Sequence, residues 1–189
     1  MESLLNFISS KTVLAEDELK LVKKSFVGLE VDANTVLLKQ GQIANHIYFL
    51  SKGIVKGYEN NDGKNVICQL IPKENFFTSL ESFFHQKPST EFLQTITDCK
   101  IAAINKQDLD YLIEKIPSFS VLVQEVTNLH LSCKIERVKD FQTLSAKQRY
   151  EKFMVQYPKL ALEVSIDNIA SYLGMEPQSL SRIRRQLTF

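Results

Sequence analysis

Residues 166–185 carry the pattern that most constrains what this chain can fold into. The apolar positions have the spacing at which two short helices share a buried core; they are Ile169, Leu173, Met175, Leu180 and Ile183. Ala170 is small where the two helices would approach each other, and Gly174 can adopt the left-handed backbone of a tight turn. Pro177 suits the first turn of the second helix, where the missing N–H is not needed. The segment therefore predicts a helix-turn-helix.

The polar face of the second predicted helix carries side chains that can recognise DNA bases. The stripe opposite the apolar positions holds, at the i, i+3, i+4 and i+7 positions, Gln178, Ser181, Arg182 and Arg185. Arginine can donate to O6 and N7 of guanine, glutamine pairs with N6 and N7 of adenine, and serine bonds to bases or phosphates. An ordinary helical hairpin with a solvated polar face would also show such a stripe. That alternative leaves the alanine, glycine and proline positions as coincidences, so the pattern favours DNA recognition.

The charge distribution is asymmetric although the whole chain is nearly neutral. With 23 basic and 22 acidic residues the formal net charge is +1, but residues 1–133 carry −3 and residues 134–189 carry +4. From Pro177 onwards there are arginines at three positions and no acid. A positive C-terminal segment behind a slightly acidic body indicates contact with a polyanion, although a charged face is more often simply solvated.

Short apolar runs separated by turn signals predict an antiparallel β-barrel in the N-terminal half of the chain. The runs are Val36–Leu38, His46–Leu50, Ile54–Tyr58, Val66–Leu70, Phe92–Ile96 and Ile101–Ile104. Asp62-Gly63 is a strong hairpin signal because both residues tolerate positive φ. Many short strands with turns between them are typical of a sandwich or barrel that closes on its own edges. Short helices are expected within residues 13–26 and at residues 107–115.

A long helix is predicted from residue 118 to residue 142, a stretch without Gly or Pro. Its apolar positions recur at spacings of 3, 4, 3 and 4, which makes a heptad seam of Phe119, Leu122, Val126, Leu129 and Cys133. This seam fits a dimer interface, and it fits packing of the helix on its own barrel about as well. About 25 residues would span roughly 37 Å, so the helix overhangs the barrel and part of it needs another partner. We therefore favour a dimer.

The composition excludes several classes of protein. No apolar run approaches the length of a membrane-spanning helix, and the N-terminus lacks the features of a signal peptide, so we expect a cytoplasmic protein without membrane association. The three cysteines and three histidines are dispersed, so we predict buried thiols and no metal site. No nucleophile–base pair and no phosphate-cradling glycine loop is present, so an enzyme is the poorest fit.

The order of these parts resembles the bacterial CRP/FNR family of transcription regulators. Gly41-Gln42 and the stretch from Ile47 to Gly53 look like the family's Gly-Glu … Leu-Tyr … Gly segment, and Leu180-Ser181-Arg182 looks like the recognition-helix core of FNR-type members. The resemblance implies an α+β fold with a cyclic-nucleotide-binding-like jelly-roll barrel at residues 1–117, a dimerisation helix at residues 118–142 and a helix-turn-helix domain at residues 143–189. Many members continue into a β-hairpin wing, which is not expected here because the sequence stops at Phe189.

The same resemblance implies a homodimer that reads an inverted repeat in double-stranded DNA, with RNA polymerase as a further partner. The residues expected to contact bases are Gln178, Ser181 and Arg182, and those expected to contact the DNA backbone are Ser179, Arg185, Lys147 and Arg149. The alternative is a ligand-binding module whose helix-turn-helix mediates protein contacts. Only the first hypothesis requires Arg182 and Arg185 for binding.

The barrel departs from the pattern of the nucleotide-binding members. Those members supply a Glu to the ribose hydroxyl and an Arg to the cyclic phosphate, and the corresponding effector-pocket residues here are Thr78, Ser79, Ser89 and Thr90. A buried phosphate without its arginine loses a charge-assisted bidentate bond. The positions on the long helix that touch the base, Lys134 and Ile135 here, lack the small hydroxyls of those members. We therefore expect no response to cyclic AMP, no bound cofactor and an effector that the sequence does not identify.

Other sensor types receive no support from the sequence either. No cysteine precedes the barrel, which argues against the iron–sulfur sensor of FNR-type members, and no histidine lies in a context diagnostic of haem. We call the four effector-pocket residues Thr78, Ser79, Ser89 and Thr90 the cassette. A cluster of phenylalanines surrounds it in the sequence, at Phe76, Phe77, Phe83, Phe84 and Phe92. We interpret it as barrel core, with an apolar effector pocket as the alternative.

Overall fold

The computed structural model describes residues 1–187, and over this range the chain is a mixed α+β protein. Thr188 and Phe189, and with them the expectation about a wing, lie outside the described residues. The strands are β1 (Val27–Val31), β2 (Val36–Leu38), β3 (His46–Lys52), β4 (Val55–Asn61), β5 (Lys64–Ile71), β6 (Asn75–Phe77), β7 (Phe92–Thr95) and β8 (Cys99–Asn105). The helices are α1 (Glu2–Lys11), α2 (Glu16–Ser25), α3 (Leu80–His85), α4 (Lys106–Lys115), α5 (Pro117–Thr143), α6 (Ala146–Gln156), α7 (Pro158–Glu163), α8 (Ile166–Tyr172) and α9 (Pro177–Leu187).

The strands form two antiparallel four-stranded sheets that enclose the barrel core. One sheet has the order β1-β8-β3-β6 and the other has the order β2-β7-β4-β5. The β4–β5 hairpin turns at Asp62 and Gly63, whose φ angles are +50° and +86°, so the hairpin prediction is confirmed. Strand β5 pairs only with β4 among the described strands, which leaves its other side as a sheet edge.

The N-terminal helices complete the barrel core. Leu4 and Ile8 of α1 are fully buried, and the Phe7 ring lies 5.4 Å from that of Phe49 and 5.6 Å from that of Phe76. Helix α1 was not expected from the sequence. The helix predicted within residues 13–26 is α2, which begins only at Glu16.

The long helix α5 lies with one face on the barrel. Its 27 residues give a length of about 40 Å, and it begins at Pro117, one residue before the predicted start. Phe119 and Leu122 are buried within the protomer, and Val126 packs against the same core. These three members of the predicted dimer seam therefore hold the helix on its own barrel, which was the alternative interpretation of the pattern. A helix periodicity identifies an apolar face but not the surface that covers it.

The opposite face of α5 carries a different apolar stripe. Val121 is 55% exposed and Ile135 is 69% exposed, and Leu131 and Val138 are exposed on the same side. These four residues belong to a series of positions with alternating spacings of three and four residues, whose other members are Gln124, Asn128 and Gln142. We call Val121, Leu131, Ile135 and Val138 the outer stripe.

Helices α6 to α9 form a second core that continues onto the barrel. Tyr150, Phe153, Leu160 and Ile169 are buried there together with Ile67 of β5. Gly174 has a φ of +64° in the turn between α8 and α9, and Leu180 and Ile183 point into the core as predicted. Within residues 1–187, no helix combines the length and the hydropathy that crossing a membrane requires.

Replacing Phe119 with Ala should show that the seam belongs to the protomer. We expect the free energy of unfolding to fall by about 3–5 kcal/mol, because a buried aromatic side chain leaves a cavity between α5 and the barrel. Tyr111→Ala on α4 is the control, since that aromatic side chain is exposed. Urea titrations of both variants supply the measurement, and equal, small losses would show that Phe119 does not pack as described.

Candidate nucleic-acid interface and effector cassette

Helix α9 presents an exposed basic and polar surface. Gln178, Ser179, Arg182 and Arg185 are all exposed, whereas Leu180 and Ile183 anchor the helix beneath them. The guanidinium groups of Arg182 and Arg185 form no hydrogen bond or ion pair with any other residue in the described part of the chain. Their donors are therefore available to an incoming acceptor. We call Gln178, Ser179, Arg182 and Arg185 the reading face.

Ser181 is only half-buried on this helix, but its hydroxyl is used locally. Its Oγ donates to the carbonyl oxygen of Pro177 at 2.9 Å. Because the single hydroxyl hydrogen is occupied, only the oxygen lone pairs remain for a base, so Ser181 can accept but not donate. The predicted contact of Ser181 with a base would therefore have to be one in which the base donates the hydrogen bond.

Arg184 has a different role from its two arginine neighbours. Its Nε donates to the Tyr150 hydroxyl at 2.9 Å and its Nη2 donates to the carbonyl of Ala161 at 3.0 Å. The guanidinium also lies over the Tyr150 ring. Arg184 therefore ties α9 to α6 and α7 and contributes to the fold of the domain.

The two basic residues at the start of α6 also differ in their surroundings. Lys147 is exposed, with Glu151 3.9 Å away as its nearest ion-pair partner. Arg149 donates to the carbonyls of Leu144 at 2.7 Å and Leu173 at 3.0 Å. Its donors thus brace the α5–α6 junction against the helix-turn-helix. Lys147 can therefore still make the expected contact with the DNA backbone, whereas the donors of Arg149 are used by carbonyls of the protein itself.

The cassette residues of the barrel all have hydrogen-bond partners within the protein. Ser79 and Ser89 are buried with their hydroxyl oxygens 3.0 Å apart, and the Ser89 Oγ also accepts from the backbone N–H of Glu91 at 3.1 Å. Thr78 donates to the carbonyl of His46 at 2.8 Å, and Thr90 donates to the Glu59 carboxylate at 3.2 Å. The structure thus brings Ser79 and Ser89 together, while Thr78 and Thr90 point to other partners.

A buried carboxylate occupies the middle of this cassette. Glu91 is 7% exposed, and its Oε2 accepts from the Gln69 Nε2 at 2.9 Å. Burial raises the pKa of Glu91, although the Gln69 hydrogen bond and the charge of Lys134 oppose that shift. A Cβ at Gly57 would come within 3.1 Å of the Glu91 Oε2, so the glycine leaves room for the carboxylate. Glu91 is not among the residues predicted from the sequence, although its place two residues after Ser89 could have indicated it.

The phenylalanine cluster divides between core and surface. Phe76, Phe77 and Phe83 are buried in the barrel core, as interpreted from the sequence, whereas Phe84 is partly exposed. Phe92 belongs to the second core, where its ring stacks on Tyr58 at 4.9 Å. An apolar cleft lies between the barrel and α5, lined by Phe76, Phe77, Phe84, Leu122 and Val126 among others.

The ligand types of metal sites do not converge among residues 1–187. No group of three or more His, Cys, Asp or Glu side chains there could hold a metal ion. Of the three cysteines, Cys99 is buried, Cys68 is half-buried and Cys133 is exposed. The expectation of buried thiols is therefore right for Cys99 and wrong for Cys133.

Comparisons with known proteins agree with this architecture. The cyclic nucleotide-binding domain family matches residues 29–116. The cAMP-activated global transcriptional regulator CRP of Haemophilus influenzae is 21% identical over 168 residues, which is 82% of this chain and 74% of that protein.

Two solved structures illustrate the likeness in fold. The c-di-GMP responsive global regulator CLP of Xanthomonas campestris covers 92% of both chains with a TM-score of 0.71 at 15% identity. FixK2 of Bradyrhizobium japonicum covers 86% of this chain and 84% of its own, with a TM-score of 0.75 at 18% identity. Residues 29–116 of this chain therefore match the cyclic nucleotide-binding domain family, and over most of its length the chain has the fold of these two proteins.

Proposed function

We propose that this protein is a cytoplasmic homodimer that binds an inverted-repeat DNA operator and regulates transcription without responding to cyclic AMP. The observation that carries the proposal is the reading face of α9, whose arginines have no partner within the described residues. A regulator of this kind would also contact RNA polymerase, as the family resemblance implies.

DNA recognition follows from the chemistry of the reading face. Helix α9 has 11 residues, a length of about 16 Å, and an α-helix fits the width of the major groove. Arg182 can form a bidentate pair with guanine and Gln178 with adenine, and each such pair discriminates against a wrong base by about 1–3 kcal/mol. Ser179 and Arg185, near the two ends of the helix, suit phosphate contacts, which fix the register on the duplex.

Dimerisation is supported by the outer stripe of α5. A row of exposed aliphatic side chains at heptad spacing on a helix of about 40 Å matches the seam of a two-helix coiled coil. Two copies joined there by a twofold axis would present two α9 helices. Such pairs read half-sites about 10 bp apart in an inverted repeat.

The lack of a cyclic AMP response is supported by the cassette, whose side chains are all hydrogen-bonded within the protein. The hydroxyl oxygens of Ser79 and Ser89 lie 3.0 Å apart, Ser89 also bonds to the backbone of Glu91, and the buried Glu91 carboxylate bonds to Ser79. A phosphate placed beside a buried carboxylate would be repelled in surroundings of low dielectric constant. The relatives from H. influenzae and X. campestris are named for different cyclic nucleotides, so likeness in fold does not fix the effector.

The first test is a selection from random duplex DNA at about 150 mM salt, with wild type beside Arg182→Ala. We expect wild type to enrich an inverted repeat, and the variant to lose or relax one position of each half-site because its guanine contact is gone. Lys139→Ala, which removes an exposed charge from α5, is the control and should select the wild-type site. Protein binding that survives the loss of both Arg182 and Arg185, with no DNA enriched, would favour the protein-docking alternative.

The second test places a charge in the outer stripe. Ile135→Asp should dissociate the dimer without unfolding the protomer, because the side chain is exposed in one chain but would be buried between two. Light scattering gives the mass, and Val13→Asp, at an exposed aliphatic position between α1 and α2, is the control. An unchanged dimer mass for Ile135→Asp would place the interface elsewhere.

The third test is calorimetric titration with cyclic AMP. We expect no saturable heat from wild type, and none from Ser89→Arg, because a guanidinium added there would pair with the Glu91 carboxylate of the same chain. Saturable binding by wild type with a Kd below about 10 μM would contradict our interpretation of the cassette.

A further inference from the structure

The free edge of strand β5 is covered by the helix-turn-helix domain rather than by another strand. The backbone N–H of Ile67 donates to the Ser171 Oγ at 2.9 Å, and the Ser171 hydroxyl lies 3.4 Å from the carbonyl oxygen of Asn65. Ser171 is on α8, the first helix of the helix-turn-helix. An edge strand has backbone groups without a ladder partner, and a polar side chain can satisfy them only if it is held in place.

A β-bulge adds a further acceptor at this edge. Gly57 pairs with Gln69 and Tyr58 pairs with Ile67, so Cys68 is an extra residue without a partner on β4. Bulges interrupt the ladder and redirect the backbone groups of the extra residue. The Cys68 carbonyl accepts from the Nη1 of Arg137 at 2.7 Å, and the Ile67 carbonyl accepts from its Nη2 at 3.1 Å.

Arg137 also reaches the helix-turn-helix. Its Nε donates to the carbonyl of Tyr172, the last residue of α8, at 3.2 Å. The guanidinium lies 4.5 Å from the centre of the Tyr172 ring and 5.2 Å from that of Phe141. One side chain of α5 therefore donates hydrogen bonds to the barrel and to the helix-turn-helix domain, and its guanidinium packs over the Phe141 ring of its own helix.

This contact lies next to the turn that orients the recognition helix. Leu173 and Gly174 follow Tyr172 directly and lead to α9. Any Cβ at Gly174 would meet the Phe141 ring at 2.6 Å, so the turn is packed tightly on α5 as well. A displacement at Tyr172 would therefore change the direction of α9 relative to the axis of α5.

We propose that Arg137 is a positioning residue: its hydrogen bonds hold the helix-turn-helix against the edge of β5 and thereby set the angle between α9 and the axis of α5. We call this set of hydrogen bonds the lock. Arg137 touches no base of its own. In a dimer held along α5, the angle of each α9 determines the separation of the two reading faces, so the lock selects the spacing between half-sites. The effect on half-site spacing rests on the proposed function, whereas the docking of the helix-turn-helix on β5 by Arg137 does not.

The chemistry of the lock requires arginine. Three of its N–H directions are used at once, by carbonyls on β5 and on α8. Lysine has the same charge but only a compact ammonium on a flexible stem, which cannot bridge these carbonyls and stack between two rings. Arg137→Lys and Arg137→Gln should therefore have similar effects.

The test combines hydrogen exchange with operator selection in the full chain. In Arg137→Gln we expect the Ile67 amide to exchange at least about tenfold faster than in wild type, because the helix-turn-helix leaves the strand edge more often. In a selection with spacers of variable length, the variant should keep the half-site sequence but lose at least about fivefold of its preference for one spacing. Lys139→Gln, an exposed charge on the same helix, should change neither quantity.

Each outcome decides a separate point. Wild-type protection of Ile67 in Arg137→Gln would overturn the lock, and an unchanged spacing preference would overturn its effect on α9. Arg137→Lys keeps the charge and should shift both quantities in the same direction, so it carries the test if Arg137→Gln does not fold, whereas Ser171→Ala removes the acceptor of the Ile67 N–H itself and marks the exchange rate of the unprotected amide. Failure of wild type to bind any DNA would refute the proposed function, while the exchange comparison would still decide the lock.

Discussion

The contact of Phe119 and Leu122 with the barrel fixes the rotation of helix α5 about its own axis. Since successive residues turn by about 100°, burying this face leaves the outer stripe on the opposite side. The same rotation directs Arg137 towards the edge of β5, because it lies on the barrel-facing side, five helical turns after Phe119. This apolar contact near the start of the helix thus determines both which apolar stripe stays exposed and where the helix-turn-helix domain docks.

Besides the shared apolar core, arginine side chains that donate to backbone carbonyls join the domains of this protein. Arg137 donates to Ile67 and Cys68, Arg149 to Leu144 and Leu173. Carbonyl groups at strand edges, bulges and helix ends are acceptors that the local structure leaves unsatisfied, and arginine can reach several of them at once. The charge of such an arginine is spread over dipoles rather than cancelled by a carboxylate. The domain contact therefore depends on the exact course of the backbone, which makes it directional.

The sequence predicts the elements whose causes are local. Asp62-Gly63 and Gly174 need positive φ, so the hairpin and the helix-turn-helix could be located from a few residues. The spacing from Phe119 to Cys133 predicts one apolar face, but periodicity contains no information about the surface that covers it. The barrel covers Phe119, Leu122 and Val126, whereas Leu129 and Cys133 are exposed. Arg149 and Arg182 look alike in the sequence. Only the fold shows that the first is used by carbonyls of the α5–α6 junction and of the helix-turn-helix turn, while the second has no hydrogen-bond or ion-pair partner within residues 1–187.

The surroundings of the cassette also depend on residues distant in the sequence, so the sequence alone could describe only part of it. Loss of the arginine at Ser89 was visible in the sequence, and it removed a reason for a phosphate to bind. The fold adds Glu91, which is accommodated because Gly57 has no Cβ and which is held by Gln69 from β5. Gln69 is adjacent to Cys68, whose carbonyl accepts from Arg137. The cassette and the edge that contacts the helix-turn-helix domain are therefore joined through two adjacent residues of β5, Gln69 and Cys68.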